Sequence, residues 1–323
     1  MSEKLTGVIL AAGKGSRMAP FSTSYPKPLL PVCNKPILVH QLDHMRSMGI
    51  TDVVVVVGHL GYEISRVLGD GHKYGVNIRY VEQKDILGIA HAVSRLENVI
   101  KNKFLLFLGD IFFDTQNLSS MLDDMEKHSA GAVLAVKEEP NREAIKRNFA
   151  VVLDDHGMVR RVIEKPRYTN NHLKGCGLYL FDLPIFDAIR RTPRTAMRDE
   201  YEITDSIQIL IDDGYPVVAA NVVLDDINVS FPHDLLECNL MQLRKANRER
   251  LLADPAVESH ARFENSIVGA KVTFANPISV RNSLIFEGTE VSTAADLDYA
   301  IVTPENMIDC RNLIKGATVG AYA

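Results

Sequence analysis

The sequence predicts an α/β protein with a mostly parallel, mixed sheet flanked by helices, followed by a short C-terminal left-handed parallel β-helix. Three observations carry this prediction. Short β-branched runs alternate with longer amphipathic stretches through the first 137 residues, the order of a parallel sheet with helical crossovers. Several of the runs are apolar without interruption, as in strands buried on both faces. After Pro255 no helical period remains, and apolar β-branched residues recur about every six positions among Gly and Asn, the spacing of short stacked coils.

The elements follow in order. Val8–Leu10 is a strand leading into a glycine-bearing turn, and Leu38–Met48 is a helix with Leu38, Val39, Leu42 and Met45 on one face, stopped by Gly49. Val53–Val57 and Phe104–Leu108 are buried strands, each ended by glycine; Asn77–Val81 alternates as a strand; Glu63–Leu68, Ala90–Ile100 and Leu118–His128 are helical. Ala132–Val136, Val151–Leu153, Val159–Glu164, Gly177–Phe181 and Val217–Leu224 read as strands. Leu183–Arg191, Thr204–Asp213 (with Thr204 as N-cap) and the long His233–Leu252 read as helices. The expected domains are 1–250 and 255–323, the latter running through NSIVGAKVTF, NPISVRNSLIFEGTEV, LDYAIVTPENMI and NLIKGATVG.

Composition narrows the function classes. With 46% apolar and 24% charged residues the 323-residue chain is an ordinary globular protein. Its 36 Lys and Arg against 41 Asp and Glu give a net charge of −5, against a non-specific nucleic-acid binder. No apolar run approaches the roughly 20 residues of a membrane helix, and the start, MSEKLTG, has no signal-peptide h-region. Cys33, Cys176, Cys238 and Cys310 are scattered without a CxxC, so neither a disulfide framework nor a zinc site is expected. The expected setting is cytoplasmic.

Ligands on such sheets bind beyond the carboxyl ends of the strands, and three strands end in AAGKGSR, EQKDILG and GDIFFD. In the first, Gly13 and Gly15 permit close backbone approach, and Arg17 follows where it can reach a phosphate. The segment lacks the GK[ST] of a P-loop, and Met18 stands where the dinucleotide fingerprint needs its third glycine. Beyond it, Pro26-Lys27-Pro28 places a lysine between two prolines, on a segment expected to be stiff and extended. A preorganised cation beside a glycine turn suits a polyphosphate. His40 and His44 have the i,i+4 spacing of a zinc helix, but Gln41 replaces the glutamate and no third ligand stands out, so a surface or packing role is the better reading.

LAAGKGSRM, PKPLLPV and NKP, followed in order by GDGHKYG, YVEQ, LGIAHA, FLGD, EKP and EITDSIQ, resemble the sugar-phosphate nucleotidylyltransferases (NDP-sugar pyrophosphorylases) over roughly residues 5–245. The pattern is most similar to the long form of glucose-1-phosphate thymidylyltransferase. The resemblance implies a Rossmann-like nucleotidyltransferase domain that joins an NTP (dTTP or UTP preferred) to a sugar 1-phosphate, with Mg²⁺ as cofactor. It implies that Leu10, Ala11, Ala12, Gly13 and Gly15 line the nucleotide, that Arg17 and Lys27 handle the phosphates, and that Gln83 and Gly88 read the base. Asp110 would hold the metal, and Ala150, Glu164, Lys165 and Gly177 the sugar phosphate. Three departures bear on the sugar: Phe149-Ala150-Val151 stands for Phe-Gly-Val, Lys174-Gly-Cys176 stands for the usual Asn, and Leu224-Asp-Asp-Ile-Asn-Val-Ser230 replaces Trp-x-Asp-x-Gly. The second metal ligand is therefore Asp226, or Asn228 stands at the matching position. Expected partners are the NTP, the sugar 1-phosphate and further copies of the chain, with neither nucleic acid nor membrane. The tail, with His260 alone as a possible base, reads as an oligomerisation or effector module rather than an acyltransferase. A non-catalytic regulatory or scaffolding subunit of the same fold is the alternative, disfavoured because Arg17, Lys27, Asp110 and Lys165 are all present.

Overall fold

A run of apolar β-branched residues can be extended and fully buried only if strands flank it and helices cover both faces. In the computed structural model, which describes residues 4–168, 172–196 and 198–314, Val53–Val56 meet that condition, each at most 1% exposed. The strands in chain order are β1 (Thr6–Ala11), β2 (Asp52–Val57), β3 (Asn77–Glu82), β4 (Phe104–Leu108), β5 (Ile111–Thr115), β6 (Ala132–Glu138), β7 (Phe149–Leu153), β8 (Val159–Glu164), β9 (Leu173–Phe181), β10 (Val217–Ala220) and β11 (Val223–Asn228). The helices are α1 (Ile37–Ser47), α2 (Gly61–Leu68), α3 (Ile89–Ser94), α4 (Ser120–His128), α5 (Arg142–Arg147), α6 (Ile185–Arg191), α7 (Ile203–Asp212) and α8 (Pro232–Lys245). All but β5 and β11, which pair with each other, belong to one nine-stranded sheet. β4, β1, β2 and β3 run parallel, with Leu10 opposite Val56 on one side and Leu108 on the other. β9 is antiparallel to β4 and to β6, and β10 returns parallel to β6. The mostly parallel, mixed sheet is thus as expected.

Alternation along each strand divides the core. Val8, Val54, Leu106, Leu134 and Tyr179 face a cluster supplied by α3, α6 and α7. The opposite side carries α1: His44 stacks on Phe107 at 6.2 Å, and Gln41 Nε2 donates to the Leu108 and Ile111 carbonyls. In α7 the buried residues Ile203, Ile207 and Leu210 recur at i, i+4 and i+7. Full burial of each such side chain contributes about 1.5–3 kcal/mol. The i,i+4 histidines of α1 serve packing, His40 edge-on to Phe112 at 5.0 Å and His44 as above. No disulfide joins the cysteines.

The chain divides into two compact units, residues 1–14 with 38–226, and residues 15–37 with 227–323. These differ from the break at 250–255 expected from sequence. In the second unit, short parallel strands stack at a repeat of sixteen to seventeen residues: Arg250 pairs with Ser266, Ile267 with Leu284, and Leu284 with Ile301. Two further parallel stacks keep the same repeat, Ala261 with Ile278 and Thr273 with Glu290. Val257, Phe263, Val268, Val280, Ile285 and Val302 fill their interior. Segment 15–37 joins this unit because Asn239, on α8, donates to the Pro31 carbonyl and accepts from the Cys33 amide, and Asn34 donates to the Val268 carbonyl.

Several local expectations change. The helix expected to reach Leu252 ends at Lys245; the chain turns through Asn247 at φ +51°, and Arg250–Leu252 forms the first strand of the stack. Glu202, not Thr204, is the extended residue before α7. The expected 217–224 strand is two, β10 and β11, and helix 90–100 keeps regular form only to Ser94. From Lys315 onward, NLIKGATVG lies outside the described residues.

Candidate functional site

In the first unit the carboxyl ends of β1 to β4 form one edge. Leu10 and Ala11 end β1 and Ala12 follows it; the Leu10 carbonyl accepts from Gly109 N at 2.8 Å, and half-buried Asp110 comes next after Gly109. Gln83 is 3% exposed at the end of β3, its amide Nε2 3.0 Å from His91 Nδ1. Gly88 precedes α3 at φ +107°, where a Cβ would lie 2.5 Å from the Tyr201 carbonyl oxygen. Only glycine fits both that conformation and that approach. The Tyr201 carbonyl accepts from Ala90 N, and Tyr201 N donates to Leu87 O, so the loop after β3 is clamped to the start of α7. His91 stacks on Tyr201 at 6.3 Å.

The next residues carry the charged part of the site. Glu164, at the end of β8, accepts from Thr204 Oγ1 at 3.3 Å and Arg198 at 3.2 Å, with Lys165 Nζ 3.7 Å away. Arg198 also stands 3.0 Å from Glu202. Burial, and then the neighbouring Glu164 carboxylate, push the Glu202 carboxyl above its ordinary range. Lys165 takes positive φ (+38°) and hangs from the Asn148 carbonyl by its N–H, which leaves its ammonium half-exposed beside Glu164. Ala150 is fully buried between Ile163 and Lys174. Gly177, at φ +74°, lies in the irregularity of β9 between Gly175 and Tyr179, against Leu108 and Ile111.

One expected site residue is used differently. The Asp226 side chain is 1% exposed, and Lys174 Nζ donates to both its oxygens at 2.7 and 2.8 Å, with Lys137 Nζ 3.1 Å from one of them. Burial works to lower the Lys137 ammonium, and Asp226 with Asp225 overrides it, raising it well above its ordinary value. Asp226 is thus the anion of a buried ion-pair cluster, and a divalent ion binding there would have to displace two ammonium groups. Cys176 sits in the same surroundings, and burial pushes its thiol far up, which suits packing rather than nucleophilic chemistry.

The donor set bears on Mg²⁺. Among the described residues no group of three or more His, Cys, Asp or Glu side chains is placed to hold a metal. Mg²⁺ is commonly bound through one or two carboxylates together with substrate phosphates. Asp110 at the strand edge fits that mode.

The second unit carries Arg17 and Lys27. Gly15 takes φ +64° as the chain enters the short 3₁₀ turn Ser16–Met18. A Cβ on Gly15 would lie 3.0 Å from Cγ and Cε of Lys27, so the lysine stem runs across the bare glycine. Gly13 has neither constraint: its φ is ordinary and a Cβ there would meet nothing within 4 Å. Lys27 is not extended as expected; Lys27–Leu29 form a 3₁₀ turn, with Leu29 N bonded to Pro26 O and Leu30 N to Lys27 O. Pro28 sits inside that turn where no N–H is required. Arg17 is exposed and lies over the Phe231 ring at 5.4 Å, with His233 stacked on the same ring.

The sequence assigns no site role to His91, Arg198, Tyr201, Thr204, Lys137 or Lys174, although the EITDSIQ motif marks the neighbourhood of Arg198, Tyr201 and Thr204. No local pattern marks the Lys174–Asp226 pair, whose members are 52 residues apart.

Residues 6–226 match the family described as Nucleotidyl transferase. The chain is 36% identical to the low-salt glycan biosynthesis nucleotidyltransferase Agl11 of Haloferax volcanii, over 74% of this chain and 66% of that one. It is 31% identical to a glucose-1-phosphate thymidylyltransferase of Streptomyces antibioticus, over 98% of this chain and 92% of the relative. A solved UDP-glucose pyrophosphorylase complexed with UDP-glucose shares the fold, with a TM-score of 0.66 at 20% identity, covering 75% of this chain and 99% of that one. No helix among the described residues is long and apolar enough to cross a membrane.

Proposed function

Since the chain belongs to the nucleotidyl transferase family, we propose that it transfers a nucleotidyl group from an NTP to a sugar 1-phosphate, releasing pyrophosphate and giving an NDP-sugar. We take dTTP or UTP as the NTP and glucose 1-phosphate or a related hexose phosphate as acceptor; the name of the Streptomyces relative supports the pair dTTP and glucose 1-phosphate. The observation that carries this is the clustering in one unit of the β1 terminus, Gln83, Gly88 and Asp110 along a single strand edge, with Glu164 and Lys165 joined to it through the Tyr201–Thr204 segment.

In the proposed reaction a phosphate oxygen of the sugar 1-phosphate attacks the α-phosphorus in line. The bond from that phosphorus to the β-phosphate bridging oxygen breaks, and its electrons leave on pyrophosphate. The protein supplies positioning and charge stabilisation. Backbone at Leu10–Gly13 and Gly15 lines the nucleotide; Gln83 and Gly88 read the base edge, an amide matching a pyrimidine's adjacent donor and acceptor. Arg17 and Lys27 stabilise the phosphates. Lys165 binds the sugar phosphate, Glu164 takes hydroxyl protons in hydrogen bonds on lone pairs left beside Arg198 and Thr204, and Ala150 and Gly177 line the sugar. Asp110 would hold Mg²⁺, which would supply positive charge against the phosphates. Asp226, if its lysines give way, or Asn228 would make the second contact to the ion. The stacked coils are taken as a left-handed β-helix of a homo-oligomeric, cytoplasmic enzyme.

A pyrophosphate-release screen of dTTP, UTP, CTP, ATP and GTP against a panel of sugar 1-phosphates, with Mg²⁺, tests this. Release requiring one NTP and one sugar phosphate together supports it. A folded chain silent with every pair would favour the non-catalytic subunit instead.

A further inference from the structure

Segment 15–37 carries both proposed phosphate-handling cations, yet it has little regular structure of its own: three 3₁₀ turns and a ribbon of Pro31–Val32 with Lys35–Pro36. Its fixed points come from elsewhere in the second unit. Phe21, fully buried, stacks on Phe286 of the coils at 5.8 Å, and Tyr25 meets the same ring edge-on at 5.4 Å. Tyr25 Oη donates to Glu305 at 3.4 Å; burial, and then Glu305, push this phenol up to about 12, so it stays a donor at neutral pH. Asn34 Nδ2 donates to Val268 O at 2.9 Å, and fully buried Asn239 holds the Pro31 carbonyl and the Cys33 amide. Lys27 lies between the aromatic anchors on one side and the amide anchors on the other.

We propose that the C-terminal coils position the catalytic strap: Phe286, Glu305 and the Val268 carbonyl brace segment 15–37, and so fix where Lys27 and Arg17 present their charges. This rests on the reading of those two residues as phosphate-binding. It gives the coils a part in catalysis besides the oligomerisation or effector role expected from sequence. Phe286 and Tyr25 are positioning residues, acting through Lys27. A displacement of about 1 Å in a positioning group costs about 10²-fold in rate, so loosening the strap should be visible in turnover without unfolding the sheet.

The test uses full-length Phe286→Ala, Tyr25→Ala and the conservative Tyr25→Phe, which keeps the ring contact and loses only the hydroxyl. Hydrogen exchange is followed at Ser24, Tyr25, Leu29 and Leu30, whose amides bond within the strap, alongside the amides of the nine-stranded sheet. Kinetics are measured separately for NTP and sugar 1-phosphate. The proposal expects faster exchange in the strap alone for both alanine variants. It also expects a 10- to 100-fold fall in kcat/KM for the NTP, a smaller change in KM for the sugar phosphate, and partial rescue by Tyr25→Phe, which keeps the Phe286 contact and loses the Glu305 bond. Unchanged strap exchange overturns the brace. Faster exchange with kcat/KM within twofold of wild type overturns the positioning role. If the wild type turns over no NTP, the proposed function fails, and equilibrium binding of labelled dTTP to the same variants then decides the positioning role: unaltered affinity with a loosened strap overturns it.

Discussion

Asp226→Ala probes whether this carboxylate belongs to lysines or to a metal. The substitution leaves the Lys174 ammonium, whose side chain is 4% exposed, with Glu139 at 3.9 Å as the carboxylate remaining in the cluster around it. Lys137, 15% exposed, keeps Asp225 at 3.3 Å and Glu139 at 3.7 Å. Removing one partner of a buried ion pair costs about 3–5 kcal/mol, because the surviving charge is stranded out of water. With an m-value of about 3 kcal/mol/M for a chain of this size, the urea midpoint of the first unit should fall by about 1–2 M. Circular dichroism through a urea titration, in the absence of Mg²⁺, reads this directly. Asp226→Ala with Lys174→Met removes both charges and fills the space with an apolar side chain, and should recover most of the loss. A fall under about 1 kcal/mol in the single variant, or a double variant no more stable than the single, would refute the ion-pair account.

Other perturbations have equally definite outcomes. Gly88→Ala must put a Cβ 2.5 Å from the Tyr201 oxygen at φ +107°; a cost of about 3 kcal/mol by thermal or chemical unfolding is expected from strain of this kind. Glu202→Gln tests the raised carboxyl. A group whose folded value lies above its unfolded value favours the fold below the unfolded value and loses that contribution as pH rises through the folded one. The glutamine variant should therefore gain Tm over wild type at pH 7–8, and the gain should vanish below about pH 4; a gain independent of pH would contradict this. Lys27→Ala and Asp110→Asn should each lower pyrophosphate release by at least about 10²-fold with unchanged circular dichroism, and near-wild-type turnover in either would sink its assigned role.

What could be read from sequence follows physical range. Val53–Val57 and Phe104–Leu108 were legible because a strand buried on both faces leaves an uninterrupted apolar run, and their glycines mark where the strand edge opens. The seventeen-residue coil repeat was legible as an apolar recurrence of about six, one third of a turn of the stack. Lys27 was misplaced because Pro-x-Pro favours extended backbone locally, whereas the observed turn is held by two backbone bonds the proline does not obstruct. The end of α8 was missed because Leu, Arg and Glu continue to Leu252, and only pairing of Arg250–Leu252 with Ser266–Val268 makes that stretch a strand. Lys174 drew notice only as a departure from pattern; its role depends on Asp226 arriving from another strand.

The central claim is nucleotidyl transfer, and one measurement reaches it most directly. The chain is incubated with dTTP labelled at the α-phosphorus, glucose 1-phosphate and Mg²⁺, and the products are resolved by mass. The account predicts an NDP-sugar that retains the labelled phosphorus, formed mole for mole with pyrophosphate and only when both substrates are present. Release of orthophosphate instead, or pyrophosphate release that proceeds without any sugar phosphate, would contradict it.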